Sequence, residues 1–192
     1  MKRYFIIFCS IVSLAIVSVN AQHYDDNCGE FFVGYAFNRV DLEDALNDSG
    51  VNNSLGGWNT NGVNVSVGGH IGHTGVTDSI SIVGDFGAHY GQLWGERVMI
   101  YTAAAGPQFT NRKHKILHPF VRALFGVSYI DGDMGGGLKD DVGFAFILGG
   151  GFDAKLGKQV ALRVAQLDFV GMRHNSVTVK SFRFATGLAL TW

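Results

Sequence analysis

The chain closes on Ser181-Phe182-Arg183-Phe184-Ala185-Thr186-Gly187-Leu188-Ala189-Leu190-Thr191-Trp192, and this stretch decides the fold. Phe182, Phe184, Leu188, Leu190 and Trp192 share one parity, while Ser181, Arg183, Ala185, Gly187 and Ala189 share the other. In a β-strand successive side chains point to opposite faces, so the stretch has one bulky apolar face and one small or polar face. A strand that crosses a bilayer carries its hydrophobicity in this way, with lipid-facing and lumen-facing residues taking turns. A soluble ligand-binding barrel would reverse the two faces, burying its large apolar side chains and wetting the outside. Alternation alone does not say which face is which.

Working back along the chain, the pattern recurs. Expected outward sets are Phe31, Val33, Tyr35 and Phe37; Val63, Val65, Val67 and Ile71; Ile80, Ile82, Phe86 and Tyr90; and Met99, Tyr101, Ala103, Ala105 and Phe109. Val121, Ala123, Phe125, Val127 and Tyr129 follow, and then Phe144, Phe146, Leu148 and Phe152. The intervening positions, among them Asn64, Ser66, Asp85, Gly87, His89, Thr102, Gln108, Arg122, Gly149 and Asp153, are small or polar almost throughout. Each segment has about the 9 to 11 residues that cross a bilayer as a tilted strand. The seventh segment breaks step, because Arg163 is on one parity and Gln166 and Asp168 on the other. A bulge near Ala165 would keep both charges inside; the alternative is that Asp168 stands above the membrane, where its face does not matter. The expected fold is all-β, an eight-stranded antiparallel up-and-down transmembrane β-barrel.

Composition fits this dispersal of apolar residues. Gly is 27 and Pro 2 of 192 residues, aromatics are 12% and charged residues 16%, yet no stretch beyond the first twenty-odd residues is continuously apolar for about 18. The links after the odd-numbered segments, roughly 41–57, 91–97, 131–141 and 172–177, are predicted to be the outer loops. Those after the even-numbered ones, roughly 73–78, 110–118 and 157–159, are predicted to be the inner turns.

Lys2 and Arg3 precede a mostly apolar run from Tyr4 to Val19, and Val19-Asn20-Ala21 offers the small residues a signal peptidase needs. Residues 1–21 are therefore expected to be a cleaved signal peptide, and 22–192 the barrel domain. Loss of Lys2 and Arg3 takes the formal charge from −1 to −3, which excludes the basic surface of a nucleic-acid-binding protein. Cys9 leaves with the signal and Cys28 remains without an intramolecular partner.

Several motifs together carry a resemblance. They are Gly34-Tyr35, Gly84-Asp85-Phe86 with His89-Tyr90-Gly91, Gly106-Pro107, His118-Pro119-Phe120-Val121 with Leu124-Phe125-Gly126, Gly149-Gly150-Gly151-Phe152-Asp153, and Ala161-Leu162-Arg163. In this order they resemble the outer membrane protein β-barrel domain family, porin-like and of OmpA-type architecture. That resemblance implies an integral outer-membrane barrel of a Gram-negative bacterium, with periplasmic termini and no single assigned activity. Leu188, Leu190 and Trp192 are similar to the signal that such barrels present to the barrel-insertion machinery. A terminal Trp also suits the interfacial aromatic girdle.

Candidate chemistry is sparse. His174-Asn175-Ser176 has the His-x-Ser spacing used by some outer-membrane lipid deacylases, but the surrounding motif and an orienting acid are absent. Asp131, Asp133, Asp140 and Asp141 form an acidic loop, but Val142 stands where a calcium loop needs a bidentate Glu. The seven histidines are scattered, and no zinc site is inferred from them. No cofactor is expected.

The inward charges matter more. Asp85, Arg122, Asp153, Arg163, Asp168 and Arg183 are expected to pair, because an unpaired charge in a narrow lumen is costly. A tight turn about Lys158 sets Asp153 opposite Arg163, and a turn between Asn175 and Ser176 sets Asp168 opposite Arg183. The expected role is structural and interactive, with loops displayed to an unidentified extracellular ligand. Expected partners are outer-membrane lipid, lipopolysaccharide, periplasmic chaperones and the insertion machinery. The alternatives are a narrow channel for ions or small solutes and, more distantly, a lipid-modifying enzyme.

Overall fold

Eight strands carry the alternation: β1 (Gly29–Asp41), β2 (Trp58–Gly72), β3 (Ser79–Leu93), β4 (Glu96–Thr110), β5 (Leu117–Asp133), β6 (Lys139–Lys155), β7 (Val160–His174) and β8 (Val177–Thr191). The computed structural model describes residues 29–41, 57–73, 79–93, 96–133, 139–174 and 177–192. Every strand pairs antiparallel with its sequence neighbour, and β1 pairs with β8, so the sheet closes and keeps no free edge. The seam is completed beyond β8, where Gly29 and Trp192 exchange backbone hydrogen bonds of 3.0 and 3.2 Å. The expected signal peptide and Cys28 lie outside the described residues.

At 13 to 17 residues the strands are longer than the bilayer requires. Fifteen residues make about 50 Å of strand, or somewhat under about 40 Å of height at a tilt of about 40°. That exceeds a hydrocarbon core of about 30 Å, so the strand ends project beyond it.

The faces resolve as a membrane barrel requires. Phe125 is 57% exposed and Phe182 63% exposed, and Val33, Tyr35, Phe144 and Leu148 share that outer face. Aromatic pairs tile it across strands, with ring centroids 6.3 Å apart for Tyr101 and Tyr129 and 5.4 Å for Phe169 and Phe182. So continuous an apolar belt on all sides would aggregate in water, whereas lipid covers it at no cost.

Irregularities fall where the side-chain pattern needs them. On β7, Phe152 pairs with Ala165 but Asp153 pairs with Arg163, so Val164 is an extra residue on that strand. Against β8, Arg163 pairs with Gly187 and Gln166 with Ala185, which opposes Val164 and Ala165 to Thr186 alone. This bulge brings Arg163, Gln166 and Asp168 all to the inner face, and the Thr186 hydroxyl donates to the Arg163 carbonyl at 3.0 Å. A second register shift, between Ile130 and Asp133, contains Gly132 at φ +114°, a conformation that glycine adopts without strain.

The interior corrects one expectation. It is not small and polar almost throughout: Val40, Val98, Ile100, Ile130, Ile147, Val170, Met172 and Val179 are buried inside the barrel. Most lie toward the end away from the termini, near the starts of β4 and β8 and the ends of β1, β5 and β7. Isoleucine and methionine at inward parity satisfy an alternation rule as well as serine does, because the rule assigns a face and not a polarity. The lumen is therefore layered, with charges in the middle and at the termini end and an apolar plug beyond them.

Candidate functional site

The charged layer grows from one residue on each of four strands: Asp85 on β3, Arg122 on β5, Asp168 on β7 and Arg183 on β8. Asp168 Oδ1 accepts from Arg122 Nε at 3.1 Å, and its Oδ2 accepts from Arg122 Nη2 at 2.8 Å and Arg183 Nε at 3.0 Å. Asp85 Oδ1 accepts from Arg183 Nη2 at 2.8 Å, and its Oδ2 lies 3.0 Å from Arg122 Nη1. The two acids and two bases alternate around a closed ring, and all four side chains are 0% exposed. Charge is balanced within the ring, which is what makes its burial tolerable.

The ring needs a gap in the wall. A Cβ at Gly149, the partner of Asp168 on β6, would stand 2.1 Å from Asp168 Oδ1. Only glycine leaves the carboxylate that space. Gly87 plays the same part on β3, where a Cβ would meet Arg183 Nη1 at 2.8 Å and Thr102 Oγ1 at 2.6 Å.

A second cluster lies toward the termini. Arg163 donates to both oxygens of Asp153, from Nε at 2.7 Å and from Nη2 at 2.9 Å, and Nη2 also reaches Glu30 Oε1 at 2.5 Å. Its guanidinium is sandwiched between the rings of Phe32 and Phe120, 4.4 and 4.2 Å from their centroids. Arginine suits this position because its planar, weakly hydrated head both forks onto a carboxylate and stacks on aromatic faces. A cleft at the termini end opens beside it, bordered by Glu30, Arg112, His118, Asp153 and Lys155.

Gln166 joins the two clusters. Its Oε1 accepts from Arg163 Nη1 at 3.0 Å, while its Nε2 donates to Asp168 Oδ2 at 2.8 Å and to Asn64 Oδ1 at 3.1 Å. Asn64 in turn donates to Asp85 Oδ2 at 3.0 Å. All six charges singled out in the sequence therefore belong to one network. Glu30 is a member that sequence reasoning misses, whereas Asn64 has an inward face there with no partner, and Gln166 stands out only through the parity break that it shares with Asp168.

The remaining candidates behave differently. Leu188, Leu190 and Trp192 stand on the outer face at the termini end, and the Trp192 indole packs over Gly29, where a Cβ would meet it at 2.5 Å. His174 is fully buried and its Nε2 lies 2.9 Å from Ser128 Oγ. Asn175 and Ser176 lie outside the described residues, as does the centre of the acidic loop. Among the described residues, no group of three or more His, Cys, Asp or Glu side chains is placed to hold a metal.

Comparison with known proteins bears on the fold. No family model matches the chain, and no curated protein matches it. Solved structures do. The Neisserial surface protein A superposes with a TM-score of 0.66 at 14% identity, covering 85% of this chain and 97% of that one. The attachment invasion locus protein Ail of Yersinia pestis superposes with a TM-score of 0.54 at 14% identity, covering 85% and 99%. The same protein in complex with the heparin analogue sucrose octasulfate gives a TM-score of 0.52 at 14% identity and the same coverage. With its outward apolar belt, its filled charged lumen and this likeness, the chain has the fold of the eight-stranded outer-membrane barrels.

Proposed function

We propose that the chain is an integral outer-membrane protein that works as a rigid, non-conducting scaffold, with its termini toward the periplasm and its long loops outside. The observation that carries this reading is the lumen itself. Two arginines and two aspartates stand across it with no exposed side-chain surface, and an apolar layer lies over them. Ions or solutes would have to break this network to pass, whereas a pore is lined by groups that water reaches. An eight-stranded barrel is just wide enough for side chains to fill it.

The same burial favours a non-enzymatic role. His174, the imidazole of the His-x-Ser spacing, is enclosed against Ser128 rather than presented to a lipid substrate. On this reading, function resides in what the loops contact outside. Lipid and lipopolysaccharide surround the belt, and the insertion machinery engages the outer face of β8. Neither a cofactor nor a nucleic acid enters this reading.

The test is fractionation of the native host with heat-modifiable gel mobility, followed by whole-cell binding with residues 42–56 replaced by a short turn. The protein should sediment with outer membranes, and the loop variant should stay folded while its surface contacts change. Recovery as a soluble periplasmic monomer would overturn the placement.

A further inference from the structure

We propose that His70 and His73 form a two-imidazole site for a borderline transition-metal dication of the zinc or copper class, at the end of the barrel where the termini lie. The site begins with a break in the β2–β3 ladder. His70 pairs with Ser81 and Gly72 with Ile80, so Ile71 is an extra residue that bends the end of β2. Beyond the bend, His73 folds back over His70, with ring centroids 4.5 Å apart and planes tilted by 54°.

The approach is made by the metal-binding atoms themselves. The two Nε2 atoms lie 3.2 Å apart. Two imidazole nitrogens on one tetrahedral zinc, at bonds of about 2.0–2.1 Å, are about 3.3–3.4 Å apart, and cis nitrogens in a square plane are slightly closer. The nitrogen separation already matches a chelate, and an ion enters as the two rings turn to aim both lone pairs at it. A third residue prepares one ligand, because His70 Nδ1 lies 2.8 Å from Ser79 Oγ. With the Nδ1 hydrogen donated to that hydroxyl, the Nε2 of His70 carries a lone pair, the tautomer that binds metal.

Among the described residues access is open, since His73 is exposed and His70 half-buried at the barrel end. Water would complete the coordination sphere. Without a metal, the Nε2 hydrogen of His73 is donated to the Nε2 of His70; as the ion replaces that contact, His73 changes tautomer, losing the hydrogen on Nε2 and carrying one on Nδ1.

The experiment uses the tag-free chain refolded in detergent micelles, with heat-modifiable mobility confirming the barrel in every variant. Zinc titration by calorimetry should show one site in the wild type. Affinity should fall at least tenfold in His73→Ala and in His73→Gln, and by about tenfold in Ser79→Ala, the usual effect of removing an outer hydrogen bond to a ligand. The Cu²⁺ paramagnetic resonance spectrum should show coupling to two imidazole nitrogens in the wild type and one in either His73 variant. Absence of zinc binding, or an affinity and nitrogen count unchanged in both His73 variants, would overturn the site and leave the pair as a hydrogen bond alone.

Discussion

Asp168 is the residue on which the lumen turns, because it accepts from Arg122, Arg183 and Gln166 with both carboxylate oxygens. Removing it leaves two buried guanidiniums to share Asp85, with one positive charge uncompensated, and breaking a buried charge set by deleting one partner costs about 3–5 kcal/mol. Asp168→Ala should therefore lower the unfolding free energy of the refolded barrel by about that amount in a urea titration. Asp131→Ala, at an exposed carboxylate, should stay within about 0.5 kcal/mol of wild type. Equal stability of the two variants would mean that the ring contributes nothing. At this scale the sequence was legible only where chain geometry is local. The tight link at residues 156–159 makes Asp153 and Arg163 neighbours by counting, and the link at 175–176 does the same for Asp168 and Arg183. Glu30 meets Arg163 across 133 positions of sequence, through closure of β1 onto β8 and the inward tilt of both side chains. No hairpin count reaches that far. The meeting of His70 and His73 depended on a bulge that the sequence did not announce.

At the scale of the element, β8 is both seam and terminus. It pairs with β7 and β1, and Trp192 exchanges backbone hydrogen bonds with Gly29 while its indole covers that glycine. Deleting Trp192 removes the last rung of the closing ladder together with the aromatic end of the expected insertion signal. Steady-state outer-membrane levels should fall and periplasmic degradation should rise, measured by fractionation and pulse-chase. Unchanged insertion would contradict the importance given to this residue. The strands themselves were legible because each outward set repeats with period two and is bounded by turn residues. Their full length was not, since residues beyond the hydrocarbon core no longer need to alternate. The β7 bulge was one of two readings that charge allowed, as Arg163 and Asp168 cannot both face inward on a regular strand, the other being an Asp168 above the membrane. Its register, with Val164 and Ala165 against Thr186, required the neighbouring strands.

At the scale of the whole molecule, an aromatic-clamped arginine, a charged ring and an apolar plug succeed one another along the lumen from the termini end. The plug escaped sequence reasoning because Ile100, Ile130 and Met172 obey the same alternation as the polar residues around them, and a parity rule does not weigh what it sends inside. On the proposed function, the layering gives the barrel its central property, a lumen filled by side chains in place of a conduit. Planar-bilayer recording on the refolded wild-type protein tests this most directly. A closed network predicts no discrete conductance steps across a range of voltages and salt concentrations in bilayers where incorporation is verified independently. Large, stable, single-channel openings in the wild type would show a water-filled path through the lumen and contradict the account.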